Sequence, residues 1–261
     1  MLTTSTFIIQ LKILHTFFEK IKTNNGKYDK ILTTNKIRSE EKVIKRIIFD
    51  LDNTLIMWKD EYEKAADIAL NTINYPKTND LYKKINEVES EYEEGKTKFD
   101  KKEVIDYLNE KLNLHLPYEF MDIWLENIGM IAVPKEYPKE DFETLEYLSQ
   151  KYELVILTNW FIECQIKRLE NIGICKFFTE FYGAEQCAKP YKESFEQAAG
   201  KLQMDEIAMV GDSLKIDIKG ALDAGIENVV WRDIKNKAEE YKEELEGIFV
   251  IKELKQLYDI F

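Results

Sequence analysis

The chain has few cysteines, no excess of positive charge and no long hydrophobic run, and each deficit excludes a class of protein. Its three cysteines, Cys164, Cys175 and Cys187, show no C-x-x-C spacing. This argues against a disulfide framework or a zinc site and fits a reducing, cytoplasmic compartment. The net charge of −12 disfavours nonspecific binding to nucleic acid, whose phosphates an acidic surface repels. A chain of 261 residues is long enough for one large globular domain or two modest ones.

The first 44 residues differ from the rest of the chain. Residues 1–39 carry a net charge of +5, so the remainder carries −17. A short amphipathic helix is predicted by five apolar residues that alternate by four and three, namely Phe7, Leu11, Leu14, Phe18 and Ile21. Polar residues interrupt this stripe and no basic segment precedes it, so we expect neither a secretory signal nor a transmembrane helix. We interpret residues 1–44 as an extension, a helix plus a linker, that docks on the core or on a partner. A targeting or membrane-surface role is the alternative.

From Lys45 onward the pattern predicts a strand, a long helical stretch, and then strands alternating with helices. The predicted helices of the long stretch cover residues 60–75, 79–94, 100–113 and 118–129. After it, strands at 154–157, 179–183, 207–210 and 228–231 alternate with helices at 139–151, 160–172, 192–202 and 215–224. Strands separated by helices indicate a parallel sheet covered on both faces. The helical stretch is therefore predicted to be an inserted, lid-like subdomain.

The first predicted strand ends in two carboxylates. Three apolar residues, 47–49, are followed by Asp50 and Asp52, with Thr54 two residues further on. A buried strand excludes charge, so these aspartates belong at its carboxyl end, where open α/β sheets bind ligands. One aspartate could attack a substrate while the other transfers protons. The alternative is an ordinary solvated turn at the end of a strand.

Polar residues also follow the later strands. Thr158 and Asn159 offer a hydroxyl and an amide that can donate to an oxyanion, although such a pair is also a common helix N-cap. Lys189 precedes a predicted helix, where a lysine is often a solvated surface charge. A Gly-Asp-Ser run at 211–213 follows another strand, with Asp217 beyond it. Because the carboxyl ends of parallel strands meet at one edge of a sheet, these side chains are expected to lie together.

These motifs resemble those of the haloacid dehalogenase-like (HAD) hydrolase superfamily. The matching positions are Asp50-x-Asp52-x-Thr54, Thr158, Lys189-Pro190 and Gly211-Asp212-Ser213-x-x-x-Asp217. The resemblance covers residues 45–261. It implies an α/β fold, a Rossmann-like doubly wound parallel sheet formed by residues 45–58 and 133–261. It also implies an inserted all-helical cap at 59–132, as in the first subfamily.

The resemblance assigns the chemistry to carboxylates and Mg²⁺. Asp50 is then the nucleophile that takes the phosphoryl group, and Asp52 protonates the leaving group and later activates water. Asp50, Asp212 and the backbone carbonyl of Asp52 are the implied ligands of Mg²⁺. Oxygen ligands and a substrate phosphate are also what Mg²⁺ prefers on general grounds.

The remaining motif residues are assigned to the phosphate. Thr158, Asn159 and Lys189 are predicted to bind its oxygens, and Asp217 and Ser213 to support the site. Asp217 is expected to orient Lys189 or to support the metal shell. A lysine that only forms a salt bridge with Asp217 is the simpler alternative, and the two interpretations are compatible.

Two tryptophans, Trp58 and Trp160, are candidates for contact with the rest of the substrate, with packing or hinge roles as the alternative. The other cap aromatics are expected to form the core of the cap, namely Tyr62, Tyr92, Phe99, Tyr107, Phe120 and Trp124.

The sequence thus predicts a Mg²⁺-dependent phosphohydrolase that acts on a small phosphorylated metabolite. A dehalogenase is disfavoured because, by the same resemblance, dehalogenases lack the second aspartate, here Asp52. A phosphomutase is disfavoured less strongly, by Asn53 and Thr54 where mutases tend to carry glycine and a different continuation. A non-catalytic binding protein on the same scaffold is the alternative from another functional class.

Overall fold

The structure, a computed structural model, describes residues 43–57 and 59–261. The predicted amphipathic helix and Trp58 lie outside these residues. The described part contains six strands: β1 (Arg46–Phe49), β2 (Glu153–Leu157), β3 (Glu180–Tyr182), β4 (Ile207–Gly211), β5 (Asn228–Arg232) and β6 (Phe249–Ile251). They form one sheet in the order β3-β2-β1-β4-β5-β6, and every neighbouring pair is parallel. The predicted Rossmann-like parallel sheet is confirmed. The short edge strand β6 was not predicted.

The helices of the described residues follow the predicted segments closely. They are α1 (Glu61–Thr72), α2 (Leu81–Glu93), α3 (Lys101–Leu112), α4 (Glu119–Ile131), α5 (Lys139–Ser149), α6 (Ile162–Asn171), α7 (Lys192–Ala199) and α8 (Gly220–Ala224). Between β1 and α5 the described residues contain helices and no strand of the sheet, and the division into core and cap at 59–132 stays a prediction. None of the helices in the described part is both long and apolar enough to cross a membrane.

The order of the strands creates the crevice in which a ligand can bind. The chain runs from β1 to β2 and β3 on one side, then returns past β1 to β4, β5 and β6 on the other. Phe49 at the end of β1 therefore lies beside Ile156 of β2 and Val210 of β4. In open parallel sheets the position where the strand order reverses is the one that binds ligands. The segments that follow β1, β2 and β4 meet there.

The central residues of the strands are apolar because both faces of the sheet are covered. Along β1, Ile47 and Phe49 belong to one buried cluster and Ile48 to the other. This alternation is what a strand produces, since successive side chains point to opposite faces. The sheet consequently offers polar groups at the two ends of its strands and not in between.

Helices α1 to α4, which we take as the cap, pack around a core of aromatic side chains. The predicted aromatics Tyr62, Tyr92, Phe99, Phe120 and Trp124 are buried in this core, and Tyr107 packs against it. The same cluster continues into Trp160, which follows β2 and is 3% exposed. Its ring centroid lies 5.8 Å from that of Trp124. Trp160 thus packs against these helices, and it also lines the cavity described below, so contact with the substrate stays a prediction.

The segment after β4 differs from the single helix predicted over 215–224. Residues Leu214–Lys219 form a π-helical turn that precedes the short α8. The amide of Ile218 donates to the carbonyl of Ser213, five residues back, at 3.2 Å. Such turns occur mostly at functional sites. Here the turn carries Asp217, which lies back over the end of β4.

Candidate active site

A cavity of about 290 Å³ lies where the carboxyl ends of the strands face the cap. Its lining includes every residue that the sequence assigned to the site: Asp50, Asp52, Thr158, Asn159, Lys189, Asp212, Ser213 and Asp217. The structure therefore brings together side chains that are up to 167 positions apart in the chain.

Asp50 is fixed between the sheet and a buried lysine. Its amide still belongs to the sheet and donates to the carbonyl of Val210 at 2.9 Å. One carboxylate oxygen, Oδ1, lies 2.7 Å from Nζ of Lys189, and the other accepts from the hydroxyl of Thr54 at 2.7 Å. Burial raises the pKa of Asp50 to about 8, against the opposing effect of Lys189, and Asp217 and Asp212 raise it further. A further cation beside Asp50 would therefore favour its ionised form.

Lys189 is shared by two carboxylates. Its Nζ also lies 2.7 Å from Oδ1 of Asp217, and its side chain is almost fully buried. Burial disfavours the ammonium form, but Asp217 and Asp50 outweigh this effect and raise the pKa of Lys189. The lysine thus stays charged, with its ammonium group held at the nucleophile. Both interpretations of Lys189, an ion pair with Asp217 and a cation at the site, are compatible with this geometry.

Asp217 approaches the end of β4 because residue 211 is glycine. A Cβ built on Gly211 would lie 2.4 Å from Cβ of Asp217, closer than real Cβ contacts occur. The second carboxylate oxygen of Asp217 accepts from the amide of Ser213 at 2.9 Å. Glycine is therefore required at position 211 for a steric reason, because only glycine leaves room for Asp217, which holds Lys189.

Asp50, Asp212 and Asp217 form an acidic cluster that could hold a metal ion. One oxygen from each lies within 4.8 Å of the others. Within the described residues the carboxylate of Asp212 makes no direct hydrogen bond or ion pair. Burial and the nearby charge of Asp217 raise the pKa of Asp212 to about 6, although Lys189 opposes this. A set of carboxylate oxygens that lacks sufficient positive charge is the donor set that suits a hard divalent cation such as Mg²⁺.

The segment after β2 supplies a hydroxyl and a support for the lysine. Thr158 is buried at the cavity wall, and its amide donates to the carbonyl of Tyr182 at 3.0 Å. The side-chain amide of Asn159 bonds to both backbone groups of Lys189, with Oδ1 accepting at 2.7 Å and Nδ2 donating at 2.8 Å. Asn159 thus holds the backbone of the lysine in this structure, and phosphate binding by Asn159 stays a prediction.

Asp52 faces a buried polar network that the sequence reasoning missed. Its Oδ1 lies 2.8 Å from a guanidinium nitrogen of Arg168, and its Oδ2 accepts from the hydroxyl of Tyr62 at 3.1 Å and from Gln165 at 3.3 Å. Arg168 is fully buried and also donates to the carbonyl of Ala132 at 2.6 Å. These contacts join Asp52 to helix α6 and to cap helix α1, so its orientation is set by both parts of the protein.

The cap closes the cavity with one face of α2. Asn86, Glu89, Ser90 and Glu93 line it, at the spacing of three and four that places residues on one side of a helix. Glu89 is buried, and burial raises its pKa well above the usual range, with the charge of Glu93 adding to the effect. The sequence reasoning did not single out either glutamate.

Comparison with known proteins agrees with this geometry. A family model of haloacid dehalogenase-like hydrolases matches residues 44–225. The chain belongs to this family. The family predicted from the four motifs is therefore confirmed, and with it the enzyme class, a hydrolase.

Several relatives of this HAD-like hydrolase are phosphatases by name. The glyceraldehyde 3-phosphate phosphatase of Pyrococcus furiosus is 30% identical over 235 residues, which is 83% of this chain and 92% of the relative. The pyrimidine 5′-nucleotidase PynA of Streptococcus pneumoniae is 27% identical over 201 residues, 71% of this chain and 82% of the relative.

The HAD-hydrolase YfnB of Bacillus subtilis is similar in both sequence and structure. It is 29% identical over 229 residues, 82% of this chain and 94% of the relative. A crystal structure of YfnB bound to magnesium superposes with a TM-score of 0.62 at 24% identity, covering 84% of this chain and 99% of YfnB. The shared fold extends over the whole length of that protein.

The residues that the sequence reasoning missed in this hydrolase carried a detectable signal. On α6, Gln165 and Arg168 share the buried face with Cys164 and Leu169. On α2, Glu89 lies on the buried face with Leu81, Ile85 and Tyr92. A charged or amide side chain on the inward face of an amphipathic helix is unusual, because burying it requires a partner. Such positions are candidates for function even without a motif.

Proposed function

We propose that this hydrolase removes the phosphate group from a small phosphorylated metabolite, with Mg²⁺ and through an aspartyl-phosphate on Asp50. The observation that carries the proposal is the surroundings of Asp50. Its carboxylate follows the central strand, contacts a buried lysine, and lies in a cluster of three carboxylates that could hold a metal ion. The phosphatase names of the relatives support the same reaction.

Phosphoryl transfer to Asp50 needs two anions to meet. An oxygen of Asp50 attacks phosphorus, an O–P bond forms, and the bond from phosphorus to the leaving oxygen breaks. Lys189, already 2.7 Å from Asp50, stabilises the charge on the transferred group, and the hydroxyl of Thr158 donates to one of its oxygens. Mg²⁺, held by Asp50, Asp212 and the carbonyl of Asp52, would supply the further positive charge that this step needs.

Asp52 transfers the protons in both halves of the reaction. It first protonates the leaving oxygen and then takes a proton from the water that attacks phosphorus, which releases inorganic phosphate and restores Asp50. Tyr62, Gln165 and Arg168 hold the carboxyl group of Asp52 in one orientation. Proton transfer depends on such positioning, because the donor must lie within hydrogen-bond reach of the reacting oxygen.

The test measures both turnover and the covalent intermediate. The full chain should hydrolyse para-nitrophenyl phosphate with Mg²⁺ and lose this activity in EDTA. Asp50→Asn should lower kcat by about 10³-fold or more, because the amide is a poor nucleophile. Acid quenching of the wild type during turnover, followed by mass spectrometry, should find phosphate on the peptide that contains Asp50.

Asp223→Asn is the matched control, since Asp223 is an exposed carboxylate on α8 outside the cavity. It should turn over normally. Full metal-dependent activity in Asp50→Asn, or phosphate attached to another residue, would contradict the proposal. With a sugar monophosphate as the substrate, formation of an isomeric phosphate ester in place of inorganic phosphate would identify a phosphomutase.

A further inference from the structure

The cap wall of the cavity presents two carboxyl groups to the substrate. Glu89 and Glu93 are four residues apart on α2 and line the cavity together with Asp50, Asp52 and Lys189. They belong to the cap, whereas the residues assigned to phosphate belong to the ends of the strands. The two glutamates therefore face the part of a substrate that remains after the phosphate is bound.

Glu89 has an oxygen that lacks a partner in the protein. Its side chain is 5% exposed, and within the described residues its Oε1 is buried without a hydrogen bond. Its carboxyl group interacts with that of Glu93 through a side-chain hydrogen bond. A buried acceptor of this kind is normally hydrogen-bonded. An unpaired acceptor in the wall of an active-site cavity points to a donor on the ligand.

The charges of the cavity favour the same conclusion. Of the residues that line it within the described part, Lys189 is the one cation, and it is shared by Asp50 and Asp217. The cap wall contributes no lysine or arginine. A negatively charged group on the leaving alcohol would meet Glu89 and Glu93 without compensation, whereas a hydroxyl or ammonium group would bond to them.

We infer, on the basis of the proposed function, that Glu89 and Glu93 recognise hydrogen-bond donors on the leaving group of the phosphate ester. The donors are hydroxyl or ammonium groups. Esters whose leaving group carries a carboxylate are disfavoured. Among small phosphorylated metabolites, the pair thereby selects the phosphate esters of polyols or of amino alcohols.

The protonation of the pair is consistent with this role. Burial raises the pKa of Glu93 to about 7, with the charge of Asp52 adding to the rise and a hydrogen bond from Glu89 opposing it. Burial also raises the pKa of Glu89. Both carboxyl groups therefore favour the protonated form more than an exposed glutamate does, and the pair still offers several acceptor oxygens to a ligand.

A second cavity of about 380 Å³ is lined by lysines and shares Asp212 and Ser213 with the first. Its lysines would favour a carboxylate on the substrate, which is the opposite of the preference that we infer for the two glutamates. Lys215, Lys235 and Lys237 line it. If these cations controlled the choice of substrate, carboxylate esters would be preferred. The two influences predict opposite orders of substrate preference, so kinetics can separate them.

The test compares three phosphate esters with the same two-carbon skeleton: 2-hydroxyethyl phosphate, 2-aminoethyl phosphate and 2-phosphoglycolate. With Mg²⁺, the wild type should show kcat/KM for the hydroxyl and ammonium esters about tenfold or more above that for phosphoglycolate. Glu89→Gln and Glu93→Gln should each lower this ratio severalfold, because each amide replaces one acceptor oxygen with an NH₂ group that only donates. The ammonium ester should lose more than the hydroxyl ester.

Glu87→Gln on the exposed side of the same helix is the matched control and should keep the wild-type ratio. Thermal melting of each variant checks folding, and Glu93→Gln, at a less buried position, keeps the test decisive if Glu89→Gln does not fold. A wild-type preference for phosphoglycolate, or an unchanged ratio in the folded glutamine variants, would overturn the inference and leave the phosphatase proposal standing. If none of the esters, including para-nitrophenyl phosphate, is hydrolysed with Mg²⁺, the proposed function and the inference both fail.

Discussion

A single side chain, Lys189, lowers the electrostatic repulsion among the carboxylates at the end of the sheet. Two like charges 4 Å apart repel by about 4 kcal/mol at an effective dielectric constant of 20. Lys189 offsets part of this repulsion for Asp50 and Asp217 at once, at 2.7 Å from each. Burial raises the pKa of Asp50 and of Asp212, and the neighbouring carboxylates raise both further, so an additional cation would favour the ionised forms.

A substitution of Gly211 tests whether the space beside this residue keeps Asp217 in contact with Lys189. In Gly211→Ala the new methyl group would overlap Asp217, so the aspartate must move and release Lys189. We expect a loss of about 1 to 3 kcal/mol in the free energy of unfolding and at least about a tenfold fall in kcat. Thermal melting and steady-state kinetics measure the two effects.

Gly129→Ala is the control for this substitution. The three atoms nearest to its added Cβ, at 2.8 to 3.2 Å, would all belong to the side chain of Lys167, which lies outside the cavity. It should leave kcat within about twofold of the wild-type value. Equal kcat values for Gly211→Ala and the wild type would show that the position of Asp217 does not matter for turnover.

The hydroxyl of Tyr62 tests the positioning of Asp52. Tyr62→Phe keeps the ring in the core of the cap and removes one donor to the carboxylate. It also removes the acceptor that the hydroxyl offers to Gln165 at 3.2 Å and to Arg168 at 3.1 Å. We expect a loss of about 1 kcal/mol in stability and a three- to tenfold fall in kcat, with little change in KM.

Tyr118→Phe is matched to it, because it removes a cap tyrosine hydroxyl that donates to Asp106 at the surface. That variant should behave as the wild type in kcat and KM. A Tyr62→Phe enzyme with unchanged kcat would mean that Arg168 and Gln165 alone position Asp52.

At the scale of elements, helices α2 and α6 each pack apolar side chains into the core and also place polar side chains at the candidate active site. Helix α2 packs Leu81, Ile85 and Tyr92 into the cap, and the same helix presents Glu89 and Glu93 to the cavity. Helix α6 buries Leu169 and carries Arg168 to Asp52. A helix can do both because residues three and four apart share a face.

The buried acidic face of α2 should make stability depend on pH. The pKa of Glu93 rises from 4.5 to about 7 on folding, mainly through burial. Below pH 4.5 the carboxyl group of Glu93 is protonated in both the folded and the unfolded state, so it does not change the free energy of unfolding. Between pH 4.5 and about 7 the unfolded chain releases the proton, whereas the folded protein must either keep it or bury a charge. The free energy of unfolding therefore falls over this range, by about 3 kcal/mol in total.

Glu93→Gln removes this cost, so its melting temperature relative to the wild type should be higher at pH 8 than at pH 5. Glu87→Gln provides the comparison and should show the same difference from the wild type at both pH values, since Glu87 is exposed. A difference for Glu93→Gln that does not change with pH would refute the assignment.

At the scale of the whole molecule, the strand order joins the separate motifs into one site. The ends of β1, β2 and β4 are neighbours, and the cap helices that follow β1 in the chain cover them. A ligand that binds this cavity contacts residues from most of the described chain. Its binding is therefore expected to stabilise the fold as a whole.

Magnesium should raise the melting temperature for this reason. A ligand that binds only the folded state at about 100 times its Kd stabilises by about 2.7 kcal/mol, which corresponds to about 5 to 10 °C for a protein of this size. Asp212→Asn should abolish most of the shift, because it removes a ligand from the acidic cluster. Asp223→Asn should retain it. Equal melting temperatures in Mg²⁺ and in EDTA for the wild type would argue against a metal site.

The sequence by itself determined the fold class and the family, and it predicted the eight motif residues that line the cavity. Buried parallel strands show as continuous apolar runs, and polar residues can only follow them, so Asp50, Thr158 and Asp212 were identified from the chain alone. Their proximity also followed from the sequence, since the carboxyl ends of parallel strands share one edge.

Only the tertiary structure decided which other side chains face that edge. The contact of Arg168 with Asp52 joins residues 116 positions apart, and Glu89 reaches the cavity because α2 packs with one particular face toward the strand ends. The rotation of a helix about its axis and the docking of one element on another depend on the packing of many distant side chains. A strand-end motif is a local pattern, whereas the orientation of the cap helices is a property of the assembled core.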